Sequence, residues 1–283
     1  MTIKNFKIIK KLNYHLEDDE KRKEIDDASD YIEKHMLESG FIYASEKDDS
    51  IKYVFSIGGD GTMLYAMQNF VEKDSIIIGV NAGKLGFIPP FMPADLKKKD
   101  FFSFLDERNV YKIEYRSLLK YDFKGENGLS VNEYAFSAEN PHNIIDIYLE
   151  VETNGSISGA GHYKSNAMII SSACGSTAFN LNAGGAIIDP SIKCMQIVMM
   201  APATLAARPL IIGENSIIHV KMNMKSRVYS DNNLIYDIDQ TKNEKFSVSL
   251  LSKQSKVLLP KNWNFYDVLS KKLHWNNGGE CQQ

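Results

Sequence analysis

Hydrophobic residues in the first third of the chain follow helix and strand patterns in turn. Residues 6–12 are predicted to form a first strand, and a helical stripe follows that should pack on a sheet and end at Gly40. The stripe consists of Ile25, Ala28, Ile32 and Met36. Residues 53–57 and 76–80 are further apolar runs, of the kind buried on both faces of a parallel sheet. The pattern predicts an α/β domain with a Rossmann-like, mostly parallel sheet.

The pattern changes after residue 98, beyond a proline-rich stretch. Strand-like runs bounded by Gly, Asn and Pro then follow one another, and later segments alternate apolar with polar residues. These segments are 111–123, 129–136, 144–151, 218–224 and 246–250, with a predicted turn at Asp231, Asn232 and Asn233. They indicate an antiparallel all-β domain. We predict an α/β domain over 1–98, a β domain over 99–257 and a C-terminal segment over 258–283, with Tyr266, Leu269 and Leu273 on one helical stripe.

Composition narrows the function classes. Lys and Arg number 33 and Asp and Glu 36, so the net charge of −3 predicts neither nucleic-acid nor membrane binding and favours small-molecule partners. No apolar run has the length of a membrane span, and the first residues lack a secretory signal, which predicts a cytoplasmic protein. Cys174, Cys194 and Cys281 have no paired spacing, which argues against a disulfide framework or a zinc site.

The most informative stretch is the turn GGDGT at residues 58–62, between a predicted strand and a predicted helix. Glycines allow a tight turn and a close approach of phosphate to backbone N–H groups, and the helix directs its positive end to the same place. Asp60 would repel phosphate unless a divalent metal or a substrate hydroxyl lay between them. The alternative is that Asp60 only caps the helix.

A second glycine-bearing loop, residues 81–87, follows the strand at 76–80. Because ligands bind beyond the carboxyl ends of parallel strands, the two loops are expected to face one crevice. An ordinary turn is the alternative for this loop.

Two features of the second half also suggest binding. Asn132 and Glu133, within a predicted strand, offer an amide beside a carboxyl group that can hold an adenine edge and ribose hydroxyls. Residues 167–185 read AMIISSACGSTAFNLNAGG, an apolar strand followed by small and hydroxyl-bearing residues. Such a segment suits a pocket with a backbone wall, although a closely packed bend is the alternative.

Taken together, these elements resemble the NAD kinases. The resemblance rests on residues 58–62, the 81–87 loop, Asn132 with Glu133, the segments 175–179 and 183–185, and the sequence ARPL at 207–210, in family order and approximate spacing. It covers residues 53–213. The GGDG turn is shared with related lipid kinases and phosphofructokinase-type enzymes, whereas the glycine-serine-threonine segment is the discriminating one.

The resemblance implies transfer of the γ-phosphoryl group of ATP, or of another phosphoryl donor, to the 2′-hydroxyl of the adenosine ribose of NAD, with Mg²⁺ or another divalent metal. It also implies an α/β domain and a β domain with the ligand between them, and a C-terminal segment that returns to the α/β domain. A homodimer or homotetramer is implied as well. Phosphoryl transfer asks mainly for positioning and charge neutralisation, which one carboxylate, backbone N–H groups and Mg²⁺ can supply without a covalent nucleophile.

By position, Asp60 would match the family aspartate that orients or deprotonates the hydroxyl, and Gly58, Gly59 and Gly61 would face phosphate. Asn132 and Glu133 would hold the dinucleotide. Thr177, Ala178 and Phe179 would line the adenine and ribose pocket, with Phe179 in place of the usual tyrosine. The remaining predicted substrate-binding residues are Thr62, Asn81, Phe87, Lys164, Asn166, Cys174 and Asn182.

The chain departs from the family pattern at several pocket positions. Asn166-Ala167 stands where the family usually has Asp-Gly, so one charge is removed from the pocket. Residues 172–174 replace a threonine-proline-threonine or threonine-proline-serine run, and Asn182 replaces a serine. The amide of Asn166 donates as well as accepts, which would shift the preference between NAD and NADH or toward another adenosine compound.

Two other functions remain open at this point. Asn166 and Cys174 could mark a catalytically weak NAD kinase homologue that binds or senses a dinucleotide or adenosine compound. The chain could also be a thiol enzyme that uses Cys174 with a histidine base. The candidate bases are His142, His162 and His219.

Overall fold

The computed structural model describes residues 4–11, 19–83, 86–106, 110–140, 142–238 and 245–274. The chain divides into two compact units, Met1–Tyr115 with Ser255–Gln283, and Arg116–Gln254. The α-helices and β-strands described are β1 Asn5–Lys10, α1 Asp19–Glu38, β2 Ile42–Tyr43, β3 Ile51–Gly58, α2 Asp60–Phe70, β4 Ile76–Asn81, β5 Tyr111–Arg116, β6 Leu119–Phe123, β7 Glu126–Ser130, β8 Glu133–Ala138, β9 Ile145–Thr153, β10 Ser156–Ser165, β11 Ala167–Ser172, α3 Phe179–Asn182, β12 Cys194–Met200, β13 Leu210–Gly213, β14 Ser216–Met222, β15 Ser226–Ser230, β16 Asn233–Ile238, β17 Phe246–Leu250, β18 Ser255–Pro260 and α4 Phe265–Leu273.

The first unit is built on a six-stranded sheet, sheet A, with the order β2-β1-β3-β4-β18-β5. The pairs β1 with β2, β1 with β3, β3 with β4 and β4 with β18 are all parallel. The predicted Rossmann-like sheet is therefore confirmed. Strand β18, which begins three residues before the predicted C-terminal segment and runs into it, lies in this sheet beside β4.

Helices lie on both faces of sheet A because its strands are apolar on both sides. Helix α1 buries the predicted stripe, in one cluster with Phe55 and Ile78 of the sheet. The next residue along β4, Gly79, faces the other way, where an added Cβ would lie 2.6 Å from the Met63 sulfur of α2. Gly40 follows α1 with a φ of +80°, a conformation that glycine adopts at helix ends.

Residues 99–106 and 110–115 pack with the first unit, whereas the sequence pattern predicts them at the start of the β domain. Phe101 is buried in the same cluster as Phe91, and the two rings meet edge to face with centroids 5.2 Å apart. Phe102 and Phe104 extend this aromatic group. Burial of these aromatic side chains thus stabilises the packing of this segment on the first unit. The domain bounds 1–98, 99–257 and 258–283 stay a prediction.

The second unit contains two six-stranded sheets, sheet B with the order β10-β9-β14-β17-β6-β7 and sheet C with the order β13-β12-β11-β8-β15-β16. Neighbouring strands in both sheets are antiparallel. One face of each sheet contributes to a single core that includes Phe136, Ile170 and Val220. The prediction of an antiparallel β domain is confirmed.

Two predicted strands are wrong as single elements. Residues 111–123 divide into β5 and β6, which belong to different sheets. Residues 129–136 divide into β7 and β8, because the backbone N–H groups of Val131 and Asn132 donate to the Asp231 carboxylate instead of to a neighbouring strand. Asn132 therefore lies in a bend.

The C-terminal helix α4 differs in part from its predicted stripe. Leu269 is buried as expected, and Phe265 is buried with it. Tyr266 is 61% exposed, because it lies one position beyond Phe265 on the helix and so faces away from the packed side. In the portion of the chain that the structure describes, no helix has the length and apolar character needed to cross a membrane.

Candidate active site

The glycine turn links β3 to α2 at the carboxyl edge of sheet A. Gly59 is the N-cap of α2, and its carbonyl oxygen accepts from the N–H groups of Thr62 and Met63 at 3.1 and 3.3 Å. Asp60 is the first residue of the helix and is not its N-cap. Its carboxylate is therefore available for another partner.

The partner of Asp60 is the second glycine-bearing loop. The N–H of Phe87 donates to Asp60 Oδ2 at 3.1 Å, and the N–H of Ile88 donates to Oδ1 at 3.0 Å. A Cβ on Gly86 would lie 2.4 Å from Asp60 Oδ1, so the absence of a side chain at Gly86 allows the loop to approach the Asp60 carboxylate this closely. The two loops predicted to share a crevice are joined through this carboxylate.

The other predicted residues of this region surround the same turn. Thr62 is buried, and a Cβ at Gly58 would lie 2.2 Å from its hydroxyl oxygen. Asn81 ends β4 and is fully buried, and its N–H donates to the Phe91 carbonyl oxygen at 2.7 Å. Phe87 is half-buried, with Lys272 Nζ 5.0 Å from its ring centroid. Residues 84 and 85 of this loop lie outside the described residues.

The second unit carries a cavity of about 350 Å³ on the face of sheet C that is turned away from the core. Side chains alternate along a strand, so the residues next to core positions Tyr134 and Phe136 line this cavity. Its wall includes Glu133, Ala135, Asn166, Ala167, Phe179 and Tyr229. The structure therefore brings together three residues predicted from distant segments, Glu133, Asn166 and Phe179.

Glu133 is the most unusual group in this cavity. It is only 3% exposed, and its Oε2 has no hydrogen-bond partner among the residues described. Burial, with a smaller contribution from the nearby Asp231 charge, raises the pKa of Glu133 to about 8. Its carboxyl group is therefore protonated at neutral pH and can donate as well as accept a hydrogen bond.

The loop before Glu133 is held by Asp231, in the turn between β15 and β16. Asp231 Oδ1 accepts from the N–H groups of Asn132 at 2.8 Å and Glu133 at 3.3 Å, and Oδ2 accepts from the N–H of Val131 at 2.8 Å. The hydroxyl of Ser130 lies 2.8 Å from Oδ1. In return, the Asp231 N–H donates to the Glu133 carbonyl oxygen at 3.2 Å.

The same loop contacts the glycine-serine-threonine turn. The Asn132 carbonyl oxygen accepts from the N–H of Ser172 at 2.8 Å, and the Ser172 hydroxyl donates to the Val131 carbonyl oxygen at 2.6 Å. A Cβ at Gly175 would lie 2.1 Å from the Asn132 carbonyl oxygen. Gly175 therefore makes the contact between two motifs that the sequence separates by more than forty residues.

The remaining predicted residues lie around this turn or away from the cavity. Cys174 is buried, and Thr177 and Ala178 are half-buried in the turn that precedes α3. Asn182 is exposed at the end of α3. Lys164 is exposed on β10, with Nζ 3.9 Å from Asp146 Oδ1, and does not line the cavity.

Two of the three histidines weighed as bases for Cys174, His162 and His219, have other partners. His219 lies 2.8 Å from the Ser247 hydroxyl and 3.1 Å from Glu152 Oε2. His162 lies 2.6 Å from Asp146 Oδ1 and stacks on Tyr148. Both histidines are on sheet B, whereas Cys174 follows a strand of sheet C. This arrangement does not favour the thiol-enzyme alternative.

Sequence reasoning missed Asp231 and Gly86 as parts of the site. Asp231 was interpreted only as a turn residue, although aspartate in such a turn commonly binds backbone amides. Gly86 was included in the loop without a role. Across the described ranges, no group of three or more His, Cys, Asp or Glu side chains is arranged to hold a metal ion.

Comparison with known families identifies both parts of the chain. Residues 5–106 match the ATP-NAD kinase N-terminal domain and residues 131–258 match the ATP-NAD kinase C-terminal domain. A protein named NAD kinase from Buchnera aphidicola subsp. Baizongia pistaciae is 33% identical over 233 residues, which cover 78% of this chain and 75% of that protein. One of the same name from Caldicellulosiruptor saccharolyticus is 30% identical over 236 residues, covering 82% and 87%.

Solved structures share the fold. Yeast NADH kinase, crystallised with NADH, superposes with a TM-score of 0.82 at 18% identity and covers 99% of this chain and 90% of that chain. An NAD kinase from Archaeoglobus fulgidus, crystallised with ATP, superposes with a TM-score of 0.71 at 20% identity, covering 95% and 98%. At these identities the likeness establishes the two-domain architecture alone.

Proposed function

The chain belongs to the ATP-NAD kinase family, and we propose that it transfers the γ-phosphoryl group of ATP to the 2′-hydroxyl of the adenosine ribose of NAD. The bond between the γ-phosphorus and the oxygen that bridges to the β-phosphate breaks, so the products are NADP and ADP. The observation that carries this proposal is the Asp60 carboxylate, fixed by the N–H groups of Phe87 and Ile88 where β3 and β4 end. Transfer between oxygens requires positioned reactants and charge neutralisation, and no covalent nucleophile is needed.

Asp60 is proposed to orient the 2′-hydroxyl and to take its proton as the new bond to phosphorus forms. Each carboxylate oxygen has two lone pairs, and the bonds from Phe87 and Ile88 use one on each oxygen. The remaining lone pairs can accept from the substrate. The two backbone bonds keep the carboxylate from rotating, which is what a general base needs in order to act on one hydroxyl.

A divalent metal fits the donor set of this turn. The free lone pairs of Asp60 and the phosphate oxygens of ATP are hard oxygen ligands of the kind that Mg²⁺ prefers, since it usually binds through one or two carboxylates together with substrate phosphates. When bound, Mg²⁺ neutralises phosphate charge beside Asp60. We propose that Gly58, Gly59 and Gly61 offer backbone N–H groups to the same phosphates.

In the second unit, we propose that the cavity on sheet C binds part of the dinucleotide. Glu133 would form hydrogen bonds to ribose hydroxyls or to an adenine edge, with Asn132 beside it. Phe179, 38% exposed at the cavity wall, offers a ring for stacking against a flat base. Asn166 would supply an amide where related kinases carry a carboxylate.

A second candidate function rests on Asn166 and Ala167, which line this cavity. With an amide in place of the family carboxylate, the chain could bind a dinucleotide and phosphorylate it weakly, which would make it a sensor. We favour the kinase because the Asp60 arrangement is intact in the first unit.

A substrate panel tests the proposal. Purified chain is incubated with NAD, NADH or adenosine, and with ATP, GTP or polyphosphate plus Mg²⁺, and NADP or NADPH is measured with a dehydrogenase specific for the phosphorylated form. We expect NADP from NAD and ATP. Micromolar NAD binding with no phosphorylation from any donor would instead establish the sensor.

We further infer that the protein acts in the cytoplasm as a homodimer or homotetramer. The support for the oligomeric state is the family alone, and the compartment is the one that the sequence predicts. Light scattering on the purified chain measures the molecular mass in solution, and a mass of about 32 kDa would indicate a monomer and contradict the inference.

A further inference from the structure

We propose that Asp231 is a positioning residue for the dinucleotide cavity, and that it acts by binding the backbone of residues 130–133 and by placing its negative charge beside Glu133. The proposal rests on the proposed function, since it names what prepares the cavity for NAD. It concerns the shape and charge of the cavity before any substrate arrives.

The Asp231 carboxylate binds three successive backbone amides. Its oxygens accept from the N–H groups of Val131, Asn132 and Glu133, at distances between 2.8 and 3.3 Å. Hydrogen bonds from amides to a charged group are stronger than those between neutral groups. The Asp231 N–H also donates to the Glu133 carbonyl oxygen, so Asp231 and Glu133 each donate a hydrogen bond to the other.

The consequence of this contact is the bend between β7 and β8. Without a carboxylate at this place, three adjacent N–H groups would need other partners in a largely buried position. The bend directs the Asn132 carbonyl oxygen to Gly175 and Ser172, and it places the Glu133 carboxyl group in the cavity. Asp231 thus sets the orientation of both predicted dinucleotide-binding residues through the main chain.

The negative charge of Asp231 also helps to keep the proton on Glu133. Burial is the larger cause of its raised pKa, and the Asp231 charge is the second. From β15 and the turn after it, Tyr229 and Asp231 face the cavity. Asn166 faces it from the bend before β11, Ala167 from β11 and Phe179 from α3, and none of the three is charged. Among these described neighbours, Asp231 is therefore the group that opposes ionisation of Glu133.

A protonated Glu133 changes what the cavity can bind. At neutral pH it donates one hydrogen bond and adds no charge near an anionic dinucleotide. Above pH 8 it ionises, and two carboxylates then share a mostly apolar cavity. We therefore expect the affinity for NAD to fall as pH rises through about 8.

The test compares wild type with Asp231→Asn in the full-length chain. Titration of Glu133, followed by the chemical shift of its labelled carboxyl carbon, should have a midpoint near pH 8 in the wild type and a lower one in the variant. Backbone amide exchange at residues 131–133 should rise about tenfold, and KM for NAD should rise about tenfold with kcat changed less than threefold. An unchanged midpoint together with unchanged exchange would overturn the proposal.

Two further variants complete the test. Asp237→Asn removes a carboxylate that is 60% exposed in the same hairpin, and it should leave the Glu133 midpoint and the exchange rates as in the wild type. If Asp231→Asn does not fold, Ser130→Ala removes one donor to Asp231 and keeps its charge. It should raise exchange at residues 131–133 about threefold, and exchange equal to wild type would overturn the proposal.

The titration and exchange measurements need no substrate. A wild-type chain that makes no NADP would therefore contradict the proposed function. The titration of Glu133 and the amide exchange of residues 131–133 would still decide the role of Asp231. A variant with wild-type midpoint, exchange and KM would contradict the role of Asp231 and leave the kinase reaction intact.

Discussion

Asp60 in the first unit and Glu133 in the second are both carboxylic acids in proposed binding regions, and their surroundings are opposite. Asp60 is half-buried at a loop, and both of its oxygens accept backbone N–H groups. Glu133 is 3% exposed, and its Oε2 has no hydrogen-bond partner among the described residues. Backbone donors fix the first group as an acceptor, whereas burial keeps a proton on the second.

This difference explains how one kinase can use two acids for different purposes. An acceptor with two oriented oxygens suits the removal of a proton from a hydroxyl. A neutral acid that can donate and accept suits recognition of an anionic ligand, because it adds no repulsion. Replacing each acid by its amide should therefore have unlike consequences.

Asp60→Asn should have the largest effect. The amide can accept one of the two loop N–H groups, but its own NH₂ would face the other, and it cannot take a proton from the substrate. We expect kcat to fall by about 10²- to 10⁴-fold, with NAD affinity changed little. Coupled measurement of NADP formation gives kcat, and calorimetry gives the affinity.

The matched control is Asp49→Asn, which changes a carboxylate that is 96% exposed in the same unit. It should leave kcat as in the wild type. If Asp60→Asn kept most of its turnover, Asp60 would have no part in proton transfer and the contrast with Glu133 would lose its catalytic meaning.

Gly175→Ala should have the next largest effect, on stability. The added Cβ would lie 2.1 Å from the Asn132 carbonyl oxygen, so the bend that carries Glu133 must move. Overpacking of this kind costs about 1–3 kcal/mol of unfolding free energy. Urea unfolding of Gly175→Ala and of Gly213→Ala measures it, since a Cβ at Gly213 would meet nothing within 4 Å. Equal losses in the two variants would contradict the importance of this contact.

The elements of the fold could be predicted from local patterns. Strands β3 and β4 and the stripe of α1 follow from continuous apolar runs and helical spacing, which depend only on neighbouring residues. The antiparallel character of the second unit follows from alternation in the same way. The resemblance to NAD kinases predicts site roles for Asp60 and Glu133, and those roles stay predictions.

The setting of each acid could not be predicted in the same way. Asp231 and Val131 are 100 residues apart, and Asp60 and Phe87 are 27 residues apart, so neither contact leaves a local signal. Burial of Glu133 depends on which face of β8 is covered, which requires the whole of sheet C. For the same reason a continuous strand was predicted where the amides of Val131 and Asn132 bind a carboxylate instead.

Glu133→Gln should sharpen the comparison through pH. In the wild type the folded-state pKa of about 8 exceeds the ordinary value of 4.5, so the folded state holds more protons between these values. The contribution of Glu133 to the free energy of unfolding therefore falls as pH rises from about 4.5 to about 8, by an amount on the order of a few kcal/mol. Glutamine stays neutral, so the variant should gain stability relative to wild type over this range.

Urea unfolding at pH 5, 7 and 9 checks this expectation for the wild type and Glu133→Gln. The control is Glu139→Gln, which replaces a partly exposed carboxylate 3.7 Å from Arg227. A difference between wild type and Glu133→Gln that stays constant with pH would mean that Glu133 is ionised like an exposed acid. The two carboxyl groups of the comparison would then differ in position only.

Asn166→Asp should have the smallest effect, and it tests how a negative charge in the cavity wall changes the preference between NAD and NADH. Asn166 Nδ2 donates to the Asn143 carbonyl oxygen at 3.0 Å, and a carboxylate cannot make this bond. The added charge should disfavour NADH more than NAD, because the reduced dinucleotide carries one more net negative charge. We expect the ratio of kcat/KM for NAD over NADH to rise about threefold to tenfold.

Asn140→Asp, outside the cavity, is the control and should leave the ratio unchanged. An unchanged ratio in Asn166→Asp as well would mean that charge at this wall does not select between the two dinucleotides, and the neutrality of Glu133 would then matter for hydrogen bonding alone.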